Sequence, residues 1–145
     1  MTTELAKTDA QDIEVVSSVE GFINTLDVDT IEGRMTTINA YNNAVSLKDY
    51  VGEVLEIRDC ITMPGVRKSR NVDLPDTRCQ NTYLIAKDGT VYFSQSDGVA
   101  KSVNVIAAMF PDFGKSFEQG ALQLCCKEQQ LANGNTLKSI VVVPW

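Results

Sequence analysis

The chain has 145 residues, 43% of them hydrophobic and 22% charged, and a formal net charge of −6. This length suits one domain with its own core, and because no run of 18 apolar residues and no secretion signal occurs, we expect a cytoplasmic protein that does not enter a membrane. Histidine is absent, the four cysteines lack CxxC spacing, and no nucleotide-binding or nucleophile motif occurs, so we predict no enzyme, catalytic residue, metal site, cofactor or small-molecule substrate.

The acidity is concentrated at the N-terminus. Residues 1–33 hold eight acidic residues and one basic residue (−7), whereas residues 34–145 hold eleven acidic and twelve basic residues (+1). We assign residues 1–28 to an N-terminal arm, whose apolar stretch is too hydrophobic for a purely solvating tail. The arm is either a disordered tail or a segment that docks on a neighbouring protomer and links copies of the chain. The residues expected to make such an oligomerisation contact are Val15, Val16, Val19, Phe22 and Ile23.

The domain, residues 29–145, is predicted to begin with a helix from Ile31 to Asn43, which Asp29 or Thr30 can cap. A long strand follows from Tyr50 to Met63, where a slip in the alternation indicates a bulge, and Pro64-Gly65 is expected to end it. Residues 66–79 read as a loop. The remaining elements are a hairpin (81–87 and 90–95), a helix (98–110) and two strands (121–131 and 136–143).

This order predicts a mainly β fold with helices, of the α+β class. Five strands with a helix between the third and the fourth are typical of an OB-fold, a small Greek-key barrel. OB-folds bind oligonucleotides on the face of strands 2 and 3 and with the loops that join strands 1 to 2 and 4 to 5. In this chain those three places hold the basic segment 67–78, the turn 133–135 (NGN) and the two tyrosines of the predicted hairpin.

The hairpin carries the strongest indication. If Asp88-Gly89 is a two-residue turn, Leu84 pairs with Phe93 and Tyr83 pairs with Ser94. One face would then belong to the core, and the other would carry Tyr83, Tyr92 and Lys87. Two tyrosines beside a lysine make a surface on which bases can stack. The alternative is that a helix or another protomer covers these rings.

The predicted loop before the hairpin is basic. Four cations fall within twelve residues, namely Arg67, Lys68, Arg70 and Arg78. Clustered charge of this kind can hold a phosphate backbone, although many such clusters are only solvated loops. With Tyr83, Tyr92 and Lys87, these four residues form the predicted nucleic-acid-binding set.

Three segments carry a resemblance to a known family: 81–102 (NTYLIAKDGTVYFSQSDGVAKS), 110–115 (FPDFGK) and 131–138 (LANGNTLK). Together they resemble the PrgE-like single-stranded DNA-binding proteins of Gram-positive conjugative plasmids, integrative elements and phages. The resemblance covers about residues 46–140. It implies an OB-fold that coats single-stranded DNA with little sequence preference during conjugative transfer or replication.

One feature departs from housekeeping bacterial single-strand binders, which end in a flexible acidic tail that recruits other proteins. Here the acidic segment is N-terminal and the last six residues are IVVVPW. A second hypothesis therefore stays open, an OB-type protein–protein module that serves as an accessory factor of a transfer or replication complex. In that case the tyrosine face would be buried against a partner.

Overall fold

The computed structural model describes residues 23–69 and 71–144, which form a curled sheet with two helices. This mixed α+β architecture is consistent with an OB-like fold. The elements are β1 (Ile23–Asn24), α1 (Ile31–Asn43), β2 (Val45–Ser46), a 3-10 turn (Leu47–Tyr50), β3 (Val54–Arg67), β4 (Thr77–Ala86), β5 (Val91–Ser94), α2 (Asp97–Met109), β6 (Leu122–Gln130) and β7 (Thr136–Val142). The predicted site residues Val15, Val16, Val19, Phe22 and Arg70 lie outside the described residues.

The strands form one sheet in the order β2-β5-β4-β3-β6-β7, and β1 also pairs with β3. All pairs are antiparallel except β2 with β5. The strands β1 and β2 have two residues each, which is too short for a sequence pattern to reveal. Within the described residues β2 and β7 are the two edges of the sheet, and residues of both edges line one cavity.

β3 pairs with three strands, β1, β4 and β6. The predicted C-terminal end of this strand was wrong. The predicted bulge is present as a register shift between Ile57 and Asp59. However, the strand does not end at Pro64-Gly65 but continues to Arg67, with Pro64 opposite Gln80. The Cys60 carbonyl accepts from Thr25 N–H on the β1 side, and by alternation Pro64 faces that side too. Within the described residues β1 does not reach a position opposite Pro64, so the missing N–H of Pro64 breaks no ladder hydrogen bond among them.

The sheet has a core on each side. The main core lies between one side of the sheet and α2, and it includes Leu55, Ile57, Leu84, Val103, Phe113 and Leu124. A smaller cluster on the opposite side lies under α1, and it includes Ala40, Ile61, Tyr83, Ile85 and Val91. Neither helix of the described part of the chain has the length and apolarity that a membrane span requires.

The first helix has the predicted bounds, and the Thr30 hydroxyl caps it by accepting from Gly33 N–H at 3.0 Å. Its large apolar residues Ile31, Met35 and Ile38 lie on the outer side, because Ile31 is 73% exposed and Ile38 is 59% exposed. The residues that face the protein are small. Ala40 is buried, and a Cβ on Gly33 would come within 1.8 Å of the Asp27 carbonyl oxygen, so only glycine fits there.

The hairpin between β4 and β5 has a different register from the predicted one. Gly89 N–H donates to Ala86 O at 2.9 Å and Ala86 N–H donates to Thr90 O at 2.7 Å, so the loop has three residues, 87–89. Gly89 has a φ of +94°, as expected for glycine at the end of such a loop. The extra residue slips the pairing by one, which sends every side chain of β5 to the opposite face.

The predicted two-tyrosine face is therefore wrong. Tyr83 pairs with Phe93, and Leu84 pairs with Tyr92. As a result, Tyr92 belongs to the main core, while Phe93 shares the α1 side of the sheet with Tyr83.

Candidate nucleic-acid interface

Three of the predicted cations lie on the described part of the β3–β4 hairpin. Arg67 ends β3 opposite Thr77, and Arg78 is exposed on β4. Lys68 Nζ lies 3.4 Å from Asp76 Oδ2, and the Lys68 side chain is 87% exposed. An exposed ion pair of this kind contributes little stability, so Lys68 can exchange Asp76 for a phosphate at small cost.

Arg67 is held in place by the segment that follows β5. Its guanidinium donates to the Gln95 carbonyl. The Gln95 side-chain amide in turn donates to Val66 O at 3.3 Å and to Asn81 Oδ1 at 3.1 Å. These bonds tie the end of β5 to the base of the basic hairpin, and they direct Arg67 towards a neighbouring cavity.

The cavity lies where the two edges of the sheet approach each other, and we call it the edge groove. Its volume is about 320 Å³. It is lined by residues of β2, the 3-10 turn, β3, β5, the segment that follows β5, and β7, namely Ser46, Lys48, Arg67, Phe93, Ser94, Gln95, Ser96 and Lys138. Among these lining residues three are cationic and none is acidic, so the groove favours an anion.

Among the described residues that line the groove, one is aromatic, and it is Phe93. It is half-buried, and its ring centroid lies 5.0 Å from that of Tyr83. Tyr83 meets Tyr41 of α1 edge-to-face at 4.9 Å. Burial raises the pKa of Tyr83, and burial together with the nearby Tyr83 raises the pKa of Tyr41. The three rings thus form a series from α1 to the groove, with Phe93 at its groove end.

Neither predicted tyrosine is exposed. Tyr83 is 9% exposed beneath α1, so the alternative of coverage by a helix describes this structure. Tyr92 is 8% exposed in the main core, where its ring lies edge-on to that of Tyr50 at 4.9 Å. As ligands of DNA, both residues remain predictions. Their burial favours an indirect role for Tyr83 and a structural role for Tyr92.

Lys87 does not lie with the other cations. Its Nζ donates to the Gln119 carbonyl at 2.7 Å, which ties the hairpin turn to the loop before β6. Lys87 is not one of the residues that line the edge groove. Sequence reasoning joined it to the tyrosines only through the two-residue turn, which the structure does not contain.

Two cations of the groove were missed. Lys48 lies in the 3-10 turn, and Lys138 lies in β7, where its Nζ is 3.4 Å from Glu128 Oε2 on β6. Each is isolated in the sequence, so no local cluster indicated a site. Phe93 was missed for another reason, because the assumed turn placed it in the core. The sequence Lys87-Asp88-Gly89 also fits a three-residue loop with glycine in the left-handed position. That turn would have predicted Phe93 on the same face as Tyr83, away from the main core.

A comparison with protein-family models identifies the chain. Residues 16–137 match the model of the Phi29-type phage single-stranded DNA-binding protein. The match includes α1, α2 and every strand up to the start of β7, which is well over half of the chain. No curated protein and no solved structure gave a match.

This match confirms that the chain is a single-stranded DNA-binding protein of a mobile genetic element, and it places the chain among binding proteins rather than enzymes. The cationic edge groove and the basic β3–β4 hairpin are surfaces of the kind that such binding requires. The chain therefore belongs to the phage single-stranded DNA-binding protein family.

Proposed function

We propose that this protein coats single-stranded DNA with weak sequence preference during conjugative transfer or replication of a mobile element in the cytoplasm. We further propose that it is of the PrgE-like type found on Gram-positive plasmids and integrative elements. In this proposal the five longer strands, with α2 between the third and the fourth, correspond to the barrel of an OB-fold. The fold is thus a scaffold for one strand of DNA.

One observation carries the proposal: the exposed cations of the β3–β4 hairpin adjoin the cationic edge groove through Arg67. Arg67 belongs to both, because it ends β3 and also lines the groove. Lys68 and Arg78 are further exposed cations of the hairpin, and Arg78 pairs with Val66, so its side chain lies on the opposite face from Arg67. Lys48 and Lys138 extend the positive charge across the groove. Such cations contact phosphates, which are the same for every sequence, so base identity is read weakly.

The test is an anisotropy titration of labelled oligo-dT and of duplex of equal length at two salt concentrations. We expect tighter binding to oligo-dT and a salt slope equivalent to the release of about two to four ions. Arg67→Gln should weaken binding and flatten this slope, whereas Lys101→Gln, an exposed position on α2, serves as the matched control. Equal or tighter binding to duplex would contradict the proposal.

We also propose that the N-terminal arm links neighbouring copies through Val15, Val16, Val19, Phe22 and Ile23. Of these, Ile23 lies in β1 opposite Thr62 and is partly buried against the main core of its own chain. It therefore anchors the root of the arm. A truncation should spare β1, so we propose to delete residues 1–22. Loss of cooperative binding and of self-association in light scattering would support the linking role, and unchanged behaviour would contradict it.

The alternative function, a protein–protein accessory module, is favoured by one observation. The outer side of α1 presents the large apolar residues Ile31, Met35 and Ile38 to solvent. Exposed apolar stripes of this kind often mark protein contacts. A wild-type protein that fails to bind oligo-dT, but associates through a surface that Met35→Gln and Ile38→Gln abolish, would favour this alternative over the coat.

A further inference from the structure

We infer that the edge groove is a nucleotide subsite, in which Phe93 stacks on one base while Arg67 and Lys138 hold the adjacent phosphate. This inference rests on the proposed function and deepens it. It assigns the stacking role to a residue that sequence reasoning had placed in the core.

The groove is formed only by the complete fold. Ser46 lies in β2 and Lys138 in β7, so opposite edges of the sheet both contribute to its lining. The open curl of the sheet therefore produces a concave site between its edges. A volume of about 320 Å³ is at the lower end of the range of ligand pockets, which suits a single nucleotide rather than a run of several.

Phe93 is suited to stacking because other rings support it. Its ring lies 5.0 Å from Tyr83 with an interplanar angle of 39°, and Tyr83 lies edge-on to Tyr41 at 82°. A ring that is supported from behind loses little freedom when a base stacks on it. Every base has a π face, so stacking on Phe93 adds affinity without sequence preference. In this arrangement Tyr83 is a positioning residue for Phe93.

The phosphate ligands are also held before binding. One donor of the Arg67 guanidinium is used by the Gln95 carbonyl, and arginine has five donors in all. Lys138 is 27% exposed and lies near Glu128, which is 45% exposed, so water screens that pair and a phosphate can replace the carboxylate. Lys48 is exposed at the rim of the groove and adds further positive charge.

The experiment is a thermodynamic cycle between the protein and the base. Wild type and Phe93→Leu are each titrated with a short oligo-dT and with an abasic oligonucleotide of the same length. We expect Phe93→Leu to weaken binding to oligo-dT by about 5- to 150-fold, the range of one lost stacking contact. On the abasic strand the two proteins should bind within about twofold of each other, because no base is present to stack.

Phe110→Leu is the matched control, since Phe110 is also half-buried and in contact with a second ring, Phe117, but does not line the groove. Tyr83→Leu should weaken binding to oligo-dT in the wild-type background but not when Phe93 is already leucine. Tyr83→Phe should restore most of that loss. Additive effects of the two leucine substitutions would show that Tyr83 does not act through Phe93.

The outcomes separate the subsite from the coat. If the wild type binds oligo-dT and Phe93→Leu binds equally well, the subsite is refuted while the proposed function stands. The same holds if Phe93→Leu weakens the oligo-dT and abasic complexes equally, since the effect would then be one of packing. If the wild type fails to bind single-stranded DNA at all, the proposed function itself fails.

Discussion

Gly98 and Lys138 are in direct backbone contact: a Cβ on Gly98 would come within 2.0 Å of the Lys138 carbonyl oxygen. Leu131 N–H donates to Asn135 O, and Val143 N–H donates to Gln123 O. By alternation, the backbone N–H and C=O groups of the odd-numbered residues of β7 therefore point towards β6. The carbonyl of Lys138 therefore points to the outer edge of β7, where α2 begins. The start of α2 thus fixes the backbone that carries one cation of the edge groove.

Gly98→Ala should destabilise the protein and weaken DNA binding together. The added methyl group forces α2 and β7 apart, at a cost of roughly 1–3 kcal/mol in the free energy of unfolding. Urea denaturation and oligo-dT titration measure the two effects. The control is Val105→Ala on the same helix, where a 61% exposed side chain predicts a change within about 0.5 kcal/mol. A stable Gly98→Ala variant would show that the contact is easily relaxed.

Tyr92→Ala should cost roughly 3–5 kcal/mol of stability, because the ring is in the main core against Tyr50. Phe93→Ala should cost clearly less, because Phe93 is only half-buried. Thermal melts of the two variants distinguish the two registers of the hairpin. If Phe93→Ala melted at a lower temperature than Tyr92→Ala, the result would indicate that Phe93 lies in the main core and Tyr92 on the opposite face.

This register illustrates what the sequence could and could not predict. The bounds of α1 and α2 depend on local signals, such as the caps and Pro111, and they were close to those observed. The Asp88-Gly89 pair is compatible with a two-residue and with a three-residue loop. Which of the two loops forms therefore depends on how the side chains of β5 pack in the folded sheet. Lys48 and Lys138 lie far apart in the chain and come together only through the curl of the sheet.

Lys115→Met should destabilise the protein by roughly 1–3 kcal/mol. Lys115 Nζ lies 2.7 Å from Asp59 Oδ1, and Asp59 is 3% exposed, so its loss leaves a buried carboxylate with weaker partners. Lys115 itself is 31% exposed, and water therefore reduces the cost below that of a fully buried pair. Unfolding of Lys115→Met, Asp59→Asn and the double variant completes a cycle, in which the double variant should recover part of the loss. Additive losses would mean that the two residues are not coupled.

Stability should fall above pH 9 partly through Cys60. Burial, and secondarily the nearby Asp59, raises the pKa of this thiol from 9.0 to about 12. Because the folded state holds the proton more tightly, the contribution is complete below pH 9 and is lost as the pH rises towards 12. Cys60→Ala should therefore show a shallower decline of unfolding free energy between pH 8 and 11 than the wild type, measured by urea titration at each pH. Parallel curves would contradict the raised pKa.

The neighbours of β3 determine the order in which the domain opens. Its first residues pair with β6, its middle pairs with β1, and from the bulge onward it pairs with β4. No other described strand has three partners, so opening β3 requires most of the sheet to separate. Amide protons in the middle of β3 should therefore exchange with solvent only through global unfolding, while those of β2 and β7 exchange through local fraying. The edge groove is lined by residues of β2 and β7, the strands that fray. Bound single-stranded DNA should therefore slow the amide exchange of these two strands more than that of β3.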